Sequence, residues 1–85
     1  MKYEITGETI KYAGITLHRI KALKDFRDVK AGESGGWVQS ESNLSQDGNC
    51  WVYGNALVCG NARVYGNAKV SGNAKVSGDA VVCGL

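Results

Sequence analysis

A six-residue phrase, Gly-Asn-Ala-x-Val-x, repeats without insertion from Gly48 to Cys83. Its six copies keep valine in the fifth slot, and all but the first, which has Cys50, keep alanine in the third. A period of six does not fit the 3.6-residue period of an α-helix, but it suits short strands whose alternate side chains face opposite ways. The third and fifth slots therefore point inward, and the Gly-Asn pairs form corners because both residues tolerate positive φ. Three phrases, 18 residues in all, close one coil.

Hexapeptide repeats are a sequence signature of β-helices. The chain resembles the hexapeptide-repeat left-handed β-helix family, in which an aliphatic residue is followed four positions later by a small one, as in Val52 to Ala56. The sequence GNARVYGNAKVSGNA, with the preceding segment GGWVQSESNLSQDGNCWVYGNA, is also similar to small uncharacterised proteins of bacteriophages and prophages. The resemblance implies an all-β chain with a left-handed parallel β-helix of about three coils.

The 85 residues predict a single domain with three parts. Residues 1–23 are rich in β-branched and aromatic side chains, so they predict an antiparallel β-meander with turns at Gly7 and Gly14. We expect this meander to cap the first coil, because a solenoid needs an end cover that blocks edge pairing. Residues 24–47 predict an irregular first coil, and residues 48–85 the regular β-helix.

The irregular coil keeps the six-residue period as a degenerate repeat. Val38 and Leu44 have the right spacing, but their phase differs by two residues from that of the later valines. We predict that Phe26, Val29 and Trp37 fill the junction beneath the cap. The alternative for Trp37 is an exposed binding role.

The residue types do not indicate catalysis. His18 is the one histidine, and it falls in the predicted cap. The many acyltransferases of the family that this chain resembles use a histidine as general base. A zinc site lacks its usual histidine partners, and Cys50, Cys59 and Cys83 predict reduced thiols because their spacing does not stack any pair on neighbouring coils. We therefore predict a protein that is not an enzyme, with no catalytic residue, cofactor or metal.

Charge and hydropathy limit which partners and which cellular location are expected. The net charge of +2 implies no strong electrostatic partner, and Asp25 and Asp28 interrupt the basic residues of the N-terminal half, so nucleic acid is not favoured. The N-terminus has no apolar run typical of a signal peptide, and no stretch approaches the roughly 20 apolar residues of a membrane span. A cytoplasmic location without a membrane partner is predicted.

The outward slots predict a partner-binding surface. Residues 18 apart stack, so Trp51 lies beneath Lys69, where a cation–π contact is expected, and Leu57 lies beneath Lys75. Aromatic and arginine side chains are typical of interface hot spots. The predicted patch comprises Trp51, Tyr53, Leu57, Arg63, Tyr65, Lys69 and Lys75. The alternative is an ordinary ladder of side chains on a solvated sheet.

The last coil predicts self-association. Its apolar end and strand edges call for a cover, so we expect a homodimer joined end to end through Val76, Val82 and Leu85, with a side-by-side trimer as runner-up. The function predicted is a non-catalytic binding module that occupies a host protein surface, in the manner of a phage counter-defence, anti-CRISPR-like inhibitor. The alternatives are a structural or assembly protein of a phage particle, an acyltransferase-like enzyme and a nucleic-acid binder.

Overall fold

The structure, a computed structural model, describes residues 1–84. This part of the chain is all-β apart from one 3₁₀ turn at Glu41–Asn43, as the repeats predicted. Its strands are β1 (Tyr3–Tyr12), β2 (Ile15–Ala22), β3 (Ser34–Val38), β4 (Trp51–Val52), β5 (Leu57–Val58), β6 (Arg63–Gly66), β7 (Lys69–Val70), β8 (Lys75–Val76) and β9 (Val81–Gly84). Within residues 1–84, no helix has the length and apolar character needed to cross a membrane.

The N-terminal strands β1 and β2 form an antiparallel hairpin. Its two-residue turn uses positive φ at Ala13 (50°) and Gly14 (80°), the backbone geometry that matches the twist of a tight hairpin. The turn expected at Gly14 is therefore present. The turn expected at Gly7 is not, because Gly7 lies inside β1, where the pairing register shifts between Ile5 and Thr9.

The regular coils pair in parallel with a spacing of 18 residues. Trp51 on β4 lies beside Lys69 on β7, and Arg63 on β6 lies beside Val81 on β9. Strand β5 pairs with β8 in the same register. These three stacks are the faces of the β-solenoid, and they confirm that three six-residue phrases close one coil.

The first coil is wider at one corner. Leu44 pairs with Val64, twenty residues further along, whereas Val52 pairs with Val70, eighteen residues further along. Two additional residues are therefore accommodated between Leu44 and Val52, which explains the phase difference in the sequence. In this widened corner the Gln46 Oε1 accepts hydrogen bonds from backbone N–H groups at the start of the chain, and its Nε2 donates one back.

The hairpin continues one face of the β-helix. Strand β2 pairs antiparallel with β3, which pairs in parallel with β5, so the five-stranded sheet runs in the order β1-β2-β3-β5-β8. The edge of the first coil at β3 is thereby covered, which blocks edge-to-edge pairing at this end. The division into residues 1–23, 24–47 and 48–85 stays a prediction.

The main core lies inside the coils and extends under the hairpin. Phe26 and Val29 are buried in this cluster, where Phe26 packs against Trp51. Their expected place in the junction beneath the cap stays a prediction. Val52, Val58, Val64 and Val70 are buried, whereas Val76 and Val82 are only half-buried. The last two valines were also expected to be inside, but no further coil lies over them within residues 1–84.

A second apolar cluster lies on the outer side of the five-stranded sheet. It contains Leu17, Trp37, Leu57 and Cys59, with Tyr12 and Ile15 from the hairpin packed against them. The Arg19 guanidinium stacks 4.3 Å from the centre of the Trp37 ring, and Lys75 Nζ lies 5.0 Å from that of Tyr12. Trp37 is therefore buried as expected, but on the outside of the coil and not in the junction beneath the cap.

Candidate binding groove

An open groove of about 840 Å³ runs along the face that carries β6 and β9. Its lining comes from the 3₁₀ turn, the widened corner and the two strands. The lining residues are Glu41, Ser42, Leu44, Ser45, Gln46, Arg63, Val64, Tyr65 and Val81. A concave surface of this size, with apolar area and a few polar groups, is typical of binding sites.

Two apolar side chains in the groove face solvent. Tyr65 is 45% exposed and Val81 is 58% exposed. Both occupy outward slots of the repeat, because their immediate sequence neighbours, Val64 next to Tyr65 and Val82 next to Val81, point into the coil. Arg63, also exposed, lies beside Val81 in the ladder. The groove thus combines an aromatic ring, an aliphatic group and a cation, all free to meet a partner.

Tyr65 lies beside Cys83 in the β6–β9 ladder. Hydrogen bonding with the Cys83 thiol, and then the charge of its thiolate form, raise the pKa of the Tyr65 phenol. Like any phenol at neutral pH, it is protonated and can donate a hydrogen bond. Cys83 itself is a free, exposed thiol next to the groove.

The structure distributes the predicted patch over three faces. Arg63 and Tyr65 line the groove, Tyr53 and Lys69 lie on the β4–β7 face, and Lys75 lies on the β5–β8 face. These five side chains do not form one surface. Their partner-binding role stays a prediction.

Trp51 was expected on the outer surface, but it is fully buried. Its ring packs edge-on against Phe26, with 5.2 Å between centroids, and against Tyr3, with 6.1 Å. The start of β1 and the segment after β2 therefore fold over the outer side of β4. The expected contact of Lys69 with Trp51 is absent, and Lys69 Nζ lies 5.0 Å from the Tyr53 ring centre instead.

Leu57 was also expected to be exposed and is buried. It belongs to the outer cluster, where Trp37 lies beside it in the ladder and Tyr12 and Ile15 of the hairpin pack on the same cluster. Neither Leu57 nor Trp51 can meet a partner without local opening. The repeat gave their direction relative to the coil, but not the chain segments that cover them.

Tyr53 is partly engaged within the chain. Its hydroxyl donates a hydrogen bond of 2.8 Å to Asp28 Oδ1, and this bond lowers the pKa of Asp28. Burial, and then the same bond, raise the pKa of Tyr53. The neighbouring Arg27 Nη2 donates a bond of 2.6 Å to the Asn67 carbonyl oxygen. These contacts fasten the segment after β2 to the β4–β7 face.

The residues predicted for self-association lie at the C-terminal end of the solenoid. Val76 and Val82 are half-buried there, and Ala74 and Ala80 of the inward third slot are exposed. This end of the core is therefore open within residues 1–84. Leu85 lies outside the described residues.

His18 lies on β2 and does not line the groove. It is half-buried and pairs across the sheet with Thr9 and Val38. Cys50 and Cys59 are buried free thiols. In the described part of the chain, no three histidine, cysteine, aspartate or glutamate side chains cluster as metal ligands.

Sequence reasoning missed the wall of the groove that Glu41, Ser42, Ser45 and Gln46 provide. These residues lie before the regular repeats, where no outward slot could be assigned. The signal that points to them is the two-residue phase difference, because a coil with additional residues must bulge at one corner. The bulge supplies the relief that a flat β-helix face lacks.

The parallel coils define a β-solenoid built from hexapeptide repeats. A family model described as YdcK Beta solenoid repeat matches residues 58–69 and 68–84. Over 39 residues the chain is 51% identical to a protein of Escherichia coli (strain K12) named "Uncharacterized acetyltransferase YdcK". These matches confirm the hexapeptide-repeat β-helix resemblance. The aligned stretch covers 46% of this chain and 12% of that relative, and the similarity to phage proteins stays a prediction.

The prediction that the chain is not an enzyme is contradicted by this relative, because its name assigns it to the acetyltransferases. The prediction rested on His18 as the one histidine and on its position in the cap. A histidine is not required for acyl transfer, since carboxylates, lysine and tyrosine also act as general bases.

Proposed function

We propose that this chain is a β-helical binding module related to acetyltransferase-type solenoids, and that the β6–β9 groove engages a protein partner. The observation that carries the proposal is the joint exposure of Tyr65 and Val81 in a concave surface beside Arg63. Tyrosine and arginine dominate interface hot spots, and burial of exposed apolar area drives association. The strands hold the backbone of these residues in place, so the conformational entropy lost on binding is mainly that of the side chains.

A host protein in the cytoplasm is the partner that we propose, because the repeat wording is similar to that of phage and prophage proteins. Occupation of such a surface would act as inhibition, including counter-defence inhibition. The host partner is proposed from the origin of similar sequences, whereas the binding surface is proposed from the groove.

The groove is tested by affinity capture from host lysate with three forms of the chain. The groove variant carries Tyr65→Ser and Val81→Ser. The control carries Ile10→Ser and Leu23→Ser, two side chains that are 37% and 43% exposed outside the groove. We expect the parent and the control to retain one stoichiometric protein and the groove variant to lose at least about tenfold in affinity. Equal retention by all three forms would contradict the proposal.

We also propose that two copies associate through the open end of the solenoid, with the trimer as runner-up. The exposure of Ala74 and Ala80, together with the half-burial of Val76 and Val82, supports this surface. Light scattering on the parent and on an Ala74→Glu, Ala80→Glu variant tests it, with Ser71→Glu and Ser77→Glu in outward slots as control. We expect a dimer for the parent and control and a monomer for the alanine variant. A monomeric parent would refute self-association, and a trimer that survives both variants would favour the side-by-side arrangement.

Acetyl transfer is the second candidate, and the name of the relative favours it. It is tested by release of free coenzyme A from acetyl-CoA in the presence of host extract as the source of acceptors. The assay detects coenzyme A with a thiol reagent, and the exposed Cys83 thiol would react with the same reagent. It therefore uses a Cys83→Ser background. If the parent releases coenzyme A and the groove variant does not, acetyl transfer takes place in the groove. If the parent releases none, acetyl transfer is refuted and binding is the remaining proposal.

A further inference from the structure

Lys2 and Cys50 meet inside the protein. The Lys2 Nζ lies 3.3 Å from the Cys50 Sγ, although the two residues are 48 positions apart. Lys2 is 1% exposed and Cys50 is 0% exposed, so the pair is sealed between the start of β1 and the first coil. An amine and a thiol in contact within a protein interior are two nucleophiles with no solvent between them.

The amine has acceptors but no counter-ion at hand. Its Nζ donates to the Cys50 carbonyl oxygen at 2.7 Å and to that of Gly48 at 3.4 Å, and it lies 5.2 Å from the Phe26 ring centre. Among residues 1–84, no carboxylate lies within ion-pair distance of this nitrogen. Burial disfavours the charged form and lowers the pKa of Lys2, which increases the share of neutral, nucleophilic amine.

The thiol is held in one position. Cys50 Sγ lies 3.6 Å from the carbonyl oxygens of Ser45 and Val64 and 3.8 Å from that of Asp47. Packing does not demand sulfur in this slot, because the other copies of the repeat fill it with alanine, as at Ala56. The thiol thus adds a second reactive group beside the Lys2 amine.

We propose that Lys2 and Cys50 form a covalent, redox-dependent crosslink through a single bridging oxygen atom, with dioxygen as the oxidant. The neutral amine, the thiol and one dioxygen molecule give Lys–NH–O–S–Cys and one water. One N–H bond and the S–H bond break, and an N–O bond and an O–S bond form. Dioxygen accepts four electrons, two from nitrogen and two from sulfur. Its second oxygen atom leaves as water with the two released hydrogens.

The crosslink would fasten the N-terminal strand to the solenoid. The start of β1 is otherwise joined to the first coil by hydrogen bonds, such as those between Gln46 and the backbone of Tyr3. A covalent tie across such a long loop restricts the unfolded chain, as a disulfide does. The oxidised protein should therefore melt about 10 °C higher than the reduced protein. The crosslink does not depend on the groove.

Intact-mass spectrometry tests the proposal on the full chain, prepared without oxygen and then exposed to dioxygen. We expect a gain of about 14 Da, one oxygen added and two hydrogens lost, that a thiol reductant reverses. Tandem spectrometry should place the link between Lys2 and Cys50. The control Cys83→Ser should keep the mass gain, whereas Lys2→Arg and Cys50→Ser should lose it.

Several results would overturn the proposal. A gain of about 16 Da at Cys50 would indicate a sulfenic acid, and a loss of about 2 Da a direct nitrogen–sulfur bond. An unchanged mass after exposure, or a 14 Da gain that persists in Lys2→Arg, would also refute it. Because the mass is measured on the parent chain, the test holds even where a variant fails to fold.

Discussion

Gly35 lies directly against the indole ring of Trp51. A Cβ atom at Gly35 would stand 2.7 Å from Cζ2 of Trp51, 2.7 Å from the Val52 carbonyl oxygen and 2.8 Å from Cγ1 of Ile20. Real Cβ atoms essentially never come closer than 3.0 Å to such neighbours. Strand β3 can therefore pass over the buried tryptophan only because this position lacks a side chain.

Gly35→Ala should destabilise the fold by about 1–3 kcal/mol, because the added methyl overfills a packed core. The matched control is Gly7→Ala, since a Cβ there meets nothing within 4 Å. That variant should stay within about 0.5 kcal/mol of the parent. Urea denaturation, monitored by tryptophan fluorescence, measures the free energy of unfolding of both variants. Equal midpoints for the two variants would show that Trp51 does not pack against Gly35.

The repeats could be predicted because they are local and periodic. Once valine and alanine recur every six residues, the inward slots, the corners and the 18-residue ladder of Trp51 with Lys69 follow from strand geometry. The agreement between the predicted and the observed structure ends where the six-residue period ends. The two additional residues after Leu44 changed only the phase in the sequence, but in the structure they widen the corner that lines the groove.

The burial of Trp51 could not be predicted from its slot. The repeat directs this side chain away from the coil axis, and only the long-range return of Tyr3 and Phe26 over β4 encloses it. Such contacts join segments distant in sequence, so no local pattern records them. A cluster of aromatics outside the repeats was the available hint that an outward tryptophan would be covered.

Val64→Asp should unfold the solenoid. Val64 is buried in the main core, and an unpaired carboxylate placed there loses its hydration without gaining a partner. The control is Val81→Asp on the same face, where the side chain is exposed beside Arg63 and a carboxylate gains a cation as neighbour. Circular dichroism during heating distinguishes the two. A parent-like melting temperature for Val64→Asp would reverse the inward assignment of the fifth slot.

Asn43→Ala should lower stability by about 2–4 kcal/mol, because four backbone groups that are partly or fully buried each lose a hydrogen bond. Asn43 is fully buried, and its Oδ1 accepts hydrogen bonds from the N–H groups of Gln39 and Ser40. Its Nδ2 donates to the carbonyl oxygens of Gly60 and Ala62 on the next coil. One side chain thus ties the 3₁₀ turn to the solenoid.

The control for Asn43 is Asn61→Ala, in which an exposed corner side chain loses one bond of 3.3 Å to Asp79. We expect a change of at most about 0.5 kcal/mol there. Denaturant midpoints of both variants, compared with the parent, give the two values. A similar small loss for Asn43→Ala would mean that water replaces its hydrogen bonds.

The Tyr3 hydroxyl predicts a pH-dependent contribution to stability. It is fully buried, lies 2.5 Å from the Leu44 carbonyl oxygen and 3.1 Å from that of Glu41, and donates its proton there. Burial, followed by the charge of Glu41, raises the pKa of Tyr3 above its ordinary value of 10.0. The protonated phenol is therefore favoured in the folded state more than in the unfolded state.

Tyr3→Phe should accordingly lower the free energy of unfolding by about 1 kcal/mol at pH 7–9, where the hydroxyl contributes fully. Above pH 10 the phenol of the unfolded parent ionises while the folded one stays protonated, so the unfolded state binds fewer protons and the parent loses stability as pH rises. The phenylalanine variant lacks this group, and the gap between the two proteins should shrink between pH 10 and the higher folded pKa. Urea denaturation of both proteins at each pH measures the gap, because every other titrating group cancels in the comparison. A gap that widens with pH would show that the fold favours the ionised phenol, against the burial of Tyr3.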